Sequence, residues 1–362
     1  MSAVLPPIAA PLIGAVPRSE GVWRAAWRRL RSDRLGMASL AVVLVFVLMI
    51  VLTSTGLVAG GWQKEVGVPS APPTFIGPAA AVQAQEIAAP SGPVADISAV
   101  DPLAPRYKEW ADRAAQYKTV ETPRAQTLPF GADRLGRDVL SKAMKGTQTS
   151  VFVGLLGALV ATLIGTVLGA LGGFFGGKIG DFLEWLYSVF TSIPDVLLIL
   201  CFAAAVESSP TLKAVLGRGI LSVAIILALV GWTGLYRQVR AEFIKHSTRD
   251  YVRSAEAIGA SAASRMFRHI LPNVSHVILV RLSLLVVAFI KFEVILSYLG
   301  LGVGVDDVSW GTMLAEAQSE LILGYWWQLV AATAFMAVFV TAFSLMTDAL
   351  RDALDPKLRG LE

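Results

Sequence analysis

Six apolar runs set the plan of this chain: 35–58, 150–171, 183–206, 219–236, 274–296 and 325–350. Each is near or beyond the roughly 20 residues that an α-helix needs to cross the hydrocarbon core of a bilayer. The pattern predicts an all-α polytopic membrane protein with six transmembrane helices and a long insertion after the first. Residues 1–22 are rich in Ala and Pro and read as a disordered tail. Residues 23–59 hold an interfacial segment and the first span; Trp23 and Trp27 beside Arg24, Arg28, Arg29, Arg31 and Arg34 suit the headgroup layer. The insertion covers 60–146, the main transmembrane domain 147–352, and a short tail 353–362.

Within these segments, local chemistry sharpens the expectations. Pro69, Pro72, Pro73, Pro78, Pro90 and Pro93 predict an extended or poorly ordered first half of the insertion. Its second half predicts a helix over 105–120, with Tyr107, Trp110, Ala114 and Tyr117 on one face, as a flap packing on itself. Gly154, Gly157, Gly165, Gly169, Gly172 and Gly173 give the second span a small-residue face for close helix packing, in a dimer or an internal bundle. Pro194 predicts a kink or opening in the third.

Composition supports a membrane location and charge supplies an orientation. Of 362 residues 55% are hydrophobic and 16% charged, too few charges for a soluble domain's surface. The first apolar run is too long for a signal-peptide core and lacks a clear cleavage site, so it is expected to remain as an anchor. A single cysteine, Cys201, rules out an intrachain disulfide, and no Cys/His cluster suggests a metal. Arg237, Arg240, Lys245, Arg249, Arg253, Arg265 and Arg268 crowd the loop after the fourth run, and Arg351, Lys357 and Arg359 the tail. The stretch 207–218 carries only Lys213 and Arg218, and 300–324 carries no Lys or Arg. The positive-inside rule therefore places both termini and the 250–273 loop in the cytoplasm.

That loop, DYVRSAEAIGASAASRMFRHILPN, reads as two short helices at an angle. Ser247 and Asp250 have the spacing of a capping box, and Gly259 can take the left-handed conformation that stops a helix. Ser261 can cap a second helix that is expected to end at Pro272. Ala255, Ala257, Gly259, Ala260, Ala262 and Ala263 leave little side chain on the surface, a shape for docking another protein's backbone.

The loop resembles the E-A-A motif of binding-protein-dependent ABC importer permeases. Its frame falls on Arg253, Ser254 and Ala255, then Glu256, Ala257, Ile258, Gly259 and Ala260, and closes on His269, Leu271 and Pro272. Arg253 and His269 depart from the general pattern in the manner of the oligopeptide/dipeptide branch, C-type subunit. FGADRLGRD at 130–138 is similar to a string ahead of the transmembrane domain in that branch, with Asp133 and Asp138 as turn and N-cap residues and Gly131 and Gly136 permitting turns. LSYLGLG after the fifth run and the Ile-Pro at Pro194 are similar to further segments of the branch. The resemblance covers about 23–352, least well over 60–126. It implies the type I ABC importer permease fold in the bacterial inner membrane. It also implies a translocation path for peptides, coupled through the 250–273 loop to two cytoplasmic ATP-binding subunits or a fused pair. A second homologous permease chain and a periplasmic substrate-binding protein complete the implied partners, with the insertion as one candidate contact for them. Membrane lipid surrounds the chain, and no nucleic acid is expected.

Two further readings follow from individual residues. GGFFGGKI, starting at Gly172, nearly spells a phosphate-binding loop, but Ile179 replaces the magnesium-binding hydroxyl and an apolar span precedes it. The chain is thus expected to bind no cofactor and to be no enzyme, with ATP and magnesium on the partner subunits. Arg281, Lys291 and Glu293 lie inside the fifth run, where each charge costs roughly 2.5–3.5 kcal/mol on insertion scales. Lys291 and Glu293 point about 200° apart on a helix and cannot pair with each other. They are candidates for ion pairs with other helices or for the cargo path. Alternative functions are a nickel or other small-solute importer and a gradient-driven secondary transporter. His246, His269 and His276 all lie at or near the 250–273 loop, away from any central metal path, and Glu293 is the one clear ion-binding carboxylate.

Overall fold

The computed structural model describes residues 22–78, 101–116, 123–216, 219–304 and 306–354. The expected tails therefore lie almost entirely outside it, as do Pro90, Pro93 and Tyr117. Helices α1 (Val22–Ser32) and α2 (Arg34–Ser54) come first, then α3 (Tyr107–Gln116) in the insertion. The main bundle follows with α4 (Val139–Phe175), α5 (Gly177–Thr191), α6 (Asp195–Ser208), α7 (Pro210–Leu216) and α8 (Ile220–Ser247). The 250–273 loop supplies α9 (Asp250–Ala257) and α10 (Ala262–Ser264), and α11 (Leu271–Tyr298), α12 (Trp310–Ile322) and α13 (Trp327–Leu354) complete the chain.

Polar residues placed just before apolar runs start the long helices. Asp33 caps α2 by accepting from Leu35 N, and Asp138 caps α4 by accepting from Leu140 N and Ser141 N. Nothing after Asp138 breaks the helix, so α4 begins before the predicted insertion boundary at 146. At 37 residues it is about 55 Å long.

The glycine face of α4 fixes the centre of the bundle. A methyl added to Gly157 would lie 3.1 Å from Ala224 O, on Gly165 2.7 Å from Trp232 O, on Gly169 2.8 Å from Tyr236 O, and on Gly173 2.6 Å from Arg240 O. Residue numbers rise together along both helices, so α4 and α8 run parallel, backbone against backbone. Small residues permit that approach, which is an internal contact of this bundle. Since α4 and α8 are parallel and touch along their length, the chain between them has to return over the same distance.

The return is made by α5 and α6, which are bent by 86°. Pro194 lies at the break, where its missing N–H and its ring prevent α5 from continuing. The predicted kink is thus a full break, and α6, at 14 residues, spans only about 21 Å.

Helix α11 runs antiparallel to α4. Gly154 and Gly157 of α4 face Ile290 and Phe289, while Ala170 shares a cluster with Ile270 and Val274. Helix α13 runs back against α2, with Phe46 packed on Phe335 and Phe339, and Ala349 beside Gly36. Counting the bent pair as one return, the chain makes six passes through the bundle. By length and hydropathy α2, α4, α8 and α13 can each cross a bilayer, and five segments can if the bent pair is one broken span rather than a re-entrant loop. The remaining pass, α11, has 28 residues and carries Arg281, Lys291 and Glu293. Leu44, Val45, Leu48, Leu155, Leu163, Trp185 and Val338 are exposed on outward faces, as a lipid-facing surface requires.

At the end of the bundle opposite the 250–273 loop, hereafter the head end, the proline-rich stretch is extended and held. Isolated bridges join Gly67 to Ala125 and Pro73 to Leu128, and Ala132 N donates to Ala71 O at 2.8 Å. Poor order was one expectation for this stretch; its described part is fixed by those bonds. The described residues 107–115 are all exposed, so the aromatic face predicted for packing is open.

Candidate functional site

The loop at 250–273 is built on a rigid floor. Val252 of α9, with Met266 and Ile270, is buried against Ala170 of α4 and Leu235, Val239 and Phe243 of α8, and Ala255 of α9 is buried as well. Gly259 has φ of +86°, and Gly259 N and Ala260 N bond back to Glu256 O and Ala255 O at 2.9 Å, a Schellman stop. Ser261 caps the next turn by accepting from Ser264 N at 3.3 Å. Across the turn Glu256 Oε1 meets Arg265 Nη1 at 2.5 Å, and Arg265 lies over the Phe174 ring at the end of α4. Ile258, at the apex, is 86% exposed.

Three local expectations change. Arg249, in extended conformation, is the N-cap of α9, while Ser247 ends α8 and its hydroxyl donates to Ile244 O. Pro272 does not end a helix: the turn Arg265–Ile270 widens to π geometry, with Leu271 N bonding to Met266 O, so Pro272 enters the first turn of α11. The wider turn removes the clash that a proline ring makes with the carbonyl four residues back. Asn273 Nδ2 then satisfies His269 O at 2.7 Å. Ala255 is buried, so its small size serves the floor. Arg253, Ser254, Glu256, Ala257, Ile258 and Gly259 are exposed, with Ala260 half-buried; Leu271 is half-buried and Pro272 exposed at the far edge. His246 Nδ1 lies 2.8 Å from the Tyr251 hydroxyl.

The three charges of α11 have separate environments, and none is in an ion pair among the described residues. Glu293 is fully buried: Ser297 Oγ donates to its Oε1 at 2.6 Å, and the hydroxyls of Ser150 and Ser309 flank it. Ser309 is the N-cap of α12, so the carboxyl sits at the positive end of that helix dipole. Lys291 is exposed, on another face of α11. Arg281 lies against the bare backbone of Gly234 and lines a cavity of about 150 Å³ between α6, α8 and α11. Its Nε is buried without a partner.

Sequence reasoning missed a polar clamp at the head end. Lys142 Nζ meets Asp133 Oδ2 at 2.8 Å, Glu316 Oε2 at 2.5 Å and Gln328 Oε1 at 3.4 Å. Arg137 Nε adds a bond to Asp133 Oδ2 at 2.7 Å, and Glu320 accepts from Arg134 N at 3.0 Å. Burial pushes the Asp133 carboxyl up, but Lys142 and Arg137 outweigh it and hold the carboxyl below the usual range. Burial raises Glu320. Gly131, with φ of +81°, leaves room for the Trp327 ring, whose Nε1 donates to Ala132 O at 2.6 Å. FGADRLGRD is therefore a plug fixed to α12 and α13. Asp133 and Lys142 are near in sequence, but Glu316 and Gln328, the other partners of Lys142, lie far along the chain and leave no local signal.

The class of the chain follows from this polytopic bundle together with its matches to known proteins. The family model for the binding-protein-dependent transport system inner membrane component matches residues 161–360, and that for the N-terminal TM domain of oligopeptide transport permease C matches 21–59. This chain belongs to the binding-protein-dependent transport system inner membrane component family. It is 39% identical to the oligopeptide transport system permease protein OppC of Salmonella typhimurium over 64% of this chain and 72% of that protein. It is 34% identical to the di/tripeptide transport system permease protein DppC of Pseudomonas aeruginosa, over 64% and 73%. Identity to OppC of Bacillus subtilis is 28% over 71% and 81%. A chain of the MetNI methionine ABC transporter in an inward-facing crystal form aligns with a TM-score of 0.48 at 14% identity, over 59% of this chain and 96% of that one. Neither family model reaches residues 60–160, which hold the plug.

Proposed function

We propose that this chain is the permease subunit of an ATP-driven importer of di- and oligopeptides, with ATP hydrolysis on separate cytoplasmic chains. The observation that carries the reading is the 250–273 loop, whose floor is locked to α4 and α8 while Ile258 stands exposed at its apex. Force applied at that apex passes directly into the parallel α4–α8 pair at the centre of the bundle. The peptide permeases to which the chain is similar support the cargo class. On this reading all six passes cross the inner membrane, with the loop and both termini cytoplasmic. The head end faces a substrate-binding protein, and a second permease chain completes the path.

Gentle extraction of the tagged chain from its native membrane, followed by mass spectrometry of what accompanies it, tests the coupling role. Two variants are compared with wild type: Ile258→Asp, which changes only an exposed apex, and Gly259→Trp, which also forces a bulky residue into a left-handed position. ATP-binding subunits are expected with the wild type and lost from both variants, with peptide uptake lost and insertion retained. Normal uptake and unchanged subunits in Ile258→Asp would overturn the assignment.

A further inference from the structure

We propose that the cavity beside Arg281 binds the carboxyl-terminal end of a peptide in transit, with the guanidinium as carboxylate anchor and Asp195 as acceptor for the peptide's N–H groups. The inference rests on the peptide-import reading. Arg281 is the eleventh of the 28 residues of α11, inside the fifth apolar run on the side of the 250–273 loop, at the level of Gly234, near the loop end of the fourth apolar run. A cation inside an apolar run is normally matched by an acid, yet no ion pair or hydrogen bond satisfies its head among the described residues. Asp195, an exposed residue with no ion pair among the described residues, lines the same cavity, brought there as the first residue of α6 by the break at Pro194. Two opposite charges held on one cavity without closing on each other leave space for a dipolar ligand.

Size and shape narrow that ligand. The cavity, about 150 Å³, is smaller than the roughly 300–1,000 Å³ that holds a whole small molecule, so it takes one end of an extended chain. A guanidinium offers a planar fork of N–H donors that fits a carboxylate with two parallel bonds. Val230 and Thr233 line the α8 side of the cavity, Gly231 and Gly234 leave room there for the Phe289 ring and the Arg281 guanidinium, and Phe289 and Phe292 supply apolar wall for a terminal side chain. A methyl added at Gly234 would lie 2.2 Å from Arg281 Nη2, so the glycine keeps the guanidinium in place.

The complete importer with its binding protein, reconstituted in proteoliposomes, is given a tripeptide with a free carboxylate or its carboxyl-terminal amide. Because the binding protein is unchanged, the acid-to-amide uptake ratio compared between permease variants isolates this cavity. Arg281→Gln is expected to lower uptake of the free acid by about ten- to a hundredfold, the loss of one charge-assisted interaction, and to leave the amide within about twofold. Gly234→Ala, which displaces the guanidinium without removing it, should move the ratio in the same direction by less. If Arg281→Gln assembles poorly, protection decides: in a Cys201→Ala background, thiol modification at Ala288→Cys should be slowed by the acid and not by the amide. An unchanged ratio in both Arg281→Gln and Gly234→Ala, or equal protection by the two peptides, overturns the proposal. So does loss of the partner permease from Arg281→Gln with its ratio intact, which would make the arginine a subunit contact. Failure of the wild-type importer to move either peptide would instead defeat the peptide-import reading.

Discussion

Lys142 carries the head end, because it is 1% exposed and faces three polar partners contributed by the plug, α12 and α13. Lys142→Met keeps the bulk and removes the charge, leaving Asp133 buried with Arg137 as its remaining cation. Breaking one side of a buried pair costs about 3–5 kcal/mol, so thermal unfolding in detergent should show a loss of that order. Asp133→Asn combined with Lys142→Met should recover much of it, since neither charge is then left alone. The pH dependence follows from the signs of the shifts. Asp133 has a lowered pKa, so its stabilisation is complete above the ordinary Asp value of about 3.9 and fades as pH falls through its lower folded value. Glu320 is raised, so its contribution runs oppositely, present below the ordinary Glu value of about 4.3 and lost as pH rises through the folded one. Without Lys142, Asp133 loses its main counter-charge and its pKa rises. Hydrogen-exchange protection of 128–138 should therefore begin to fail at higher pH in Lys142→Met than in wild type; an unchanged midpoint would show that Lys142 does not hold the carboxylate ionised.

The pairing of α4 with α8 makes a graded prediction at the level of elements. On Gly165 and Gly173 an added methyl meets backbone carbonyls at 2.7 and 2.6 Å, which cannot yield without separating the helices. Gly172 instead meets the Tyr236 hydroxyl at 3.3 Å, an atom that can move. Gly165→Ala and Gly173→Ala should each destabilise by about 1–3 kcal/mol, the cost of overpacking. Gly172→Ala should be neutral or gain up to about 1 kcal/mol from helix propensity. Melting curves of the three purified variants check the order, and equal effects would reject the backbone contact. The glycine spacing was visible in the sequence, but whether it faced a second copy or another helix was not, because a small-residue face carries no name for its partner. Pro194 signalled a disruption, while its size, a bend of 86°, depends on what α5 and α6 pack against. The caps at Asp138 and Ser261 and the turn at Gly259 were legible because each uses local bonds. Pro272 misled for the same reason: a proline forbids one hydrogen bond, and the π turn that accommodates it is selected by the buried contacts of Met266 and Ile270.

Six passes of the bundle become six membrane spans only if each carries the chain between the same two surfaces. The geometry makes the bent pair the decisive case, since parallel α4 and α8 require α5 and α6 to bring the chain back. Exposed residues report on every turn: Leu57, Val215 and Ile322 at the head end, Ile179 and Ile258 at the loop end. With Cys201 replaced by Ala, single cysteines at these positions should divide into two sets. A membrane-impermeant maleimide added outside intact cells should reach Leu57→Cys, Val215→Cys and Ile322→Cys, and should reach Ile179→Cys and Ile258→Cys only after permeabilisation. Labelling of Val215→Cys with the inner set would make the bent pair re-entrant and break the parallel arrangement of α4 and α8 across the membrane. Labelling of Ile258→Cys and Ile322→Cys from one side would mean that α11 does not cross. The loop would then be unable to meet cytoplasmic ATPases while α12 and the plug face the opposite compartment. The same five labels therefore test the fold, the orientation set by the basic loops, and the placement of Arg281 within the bilayer.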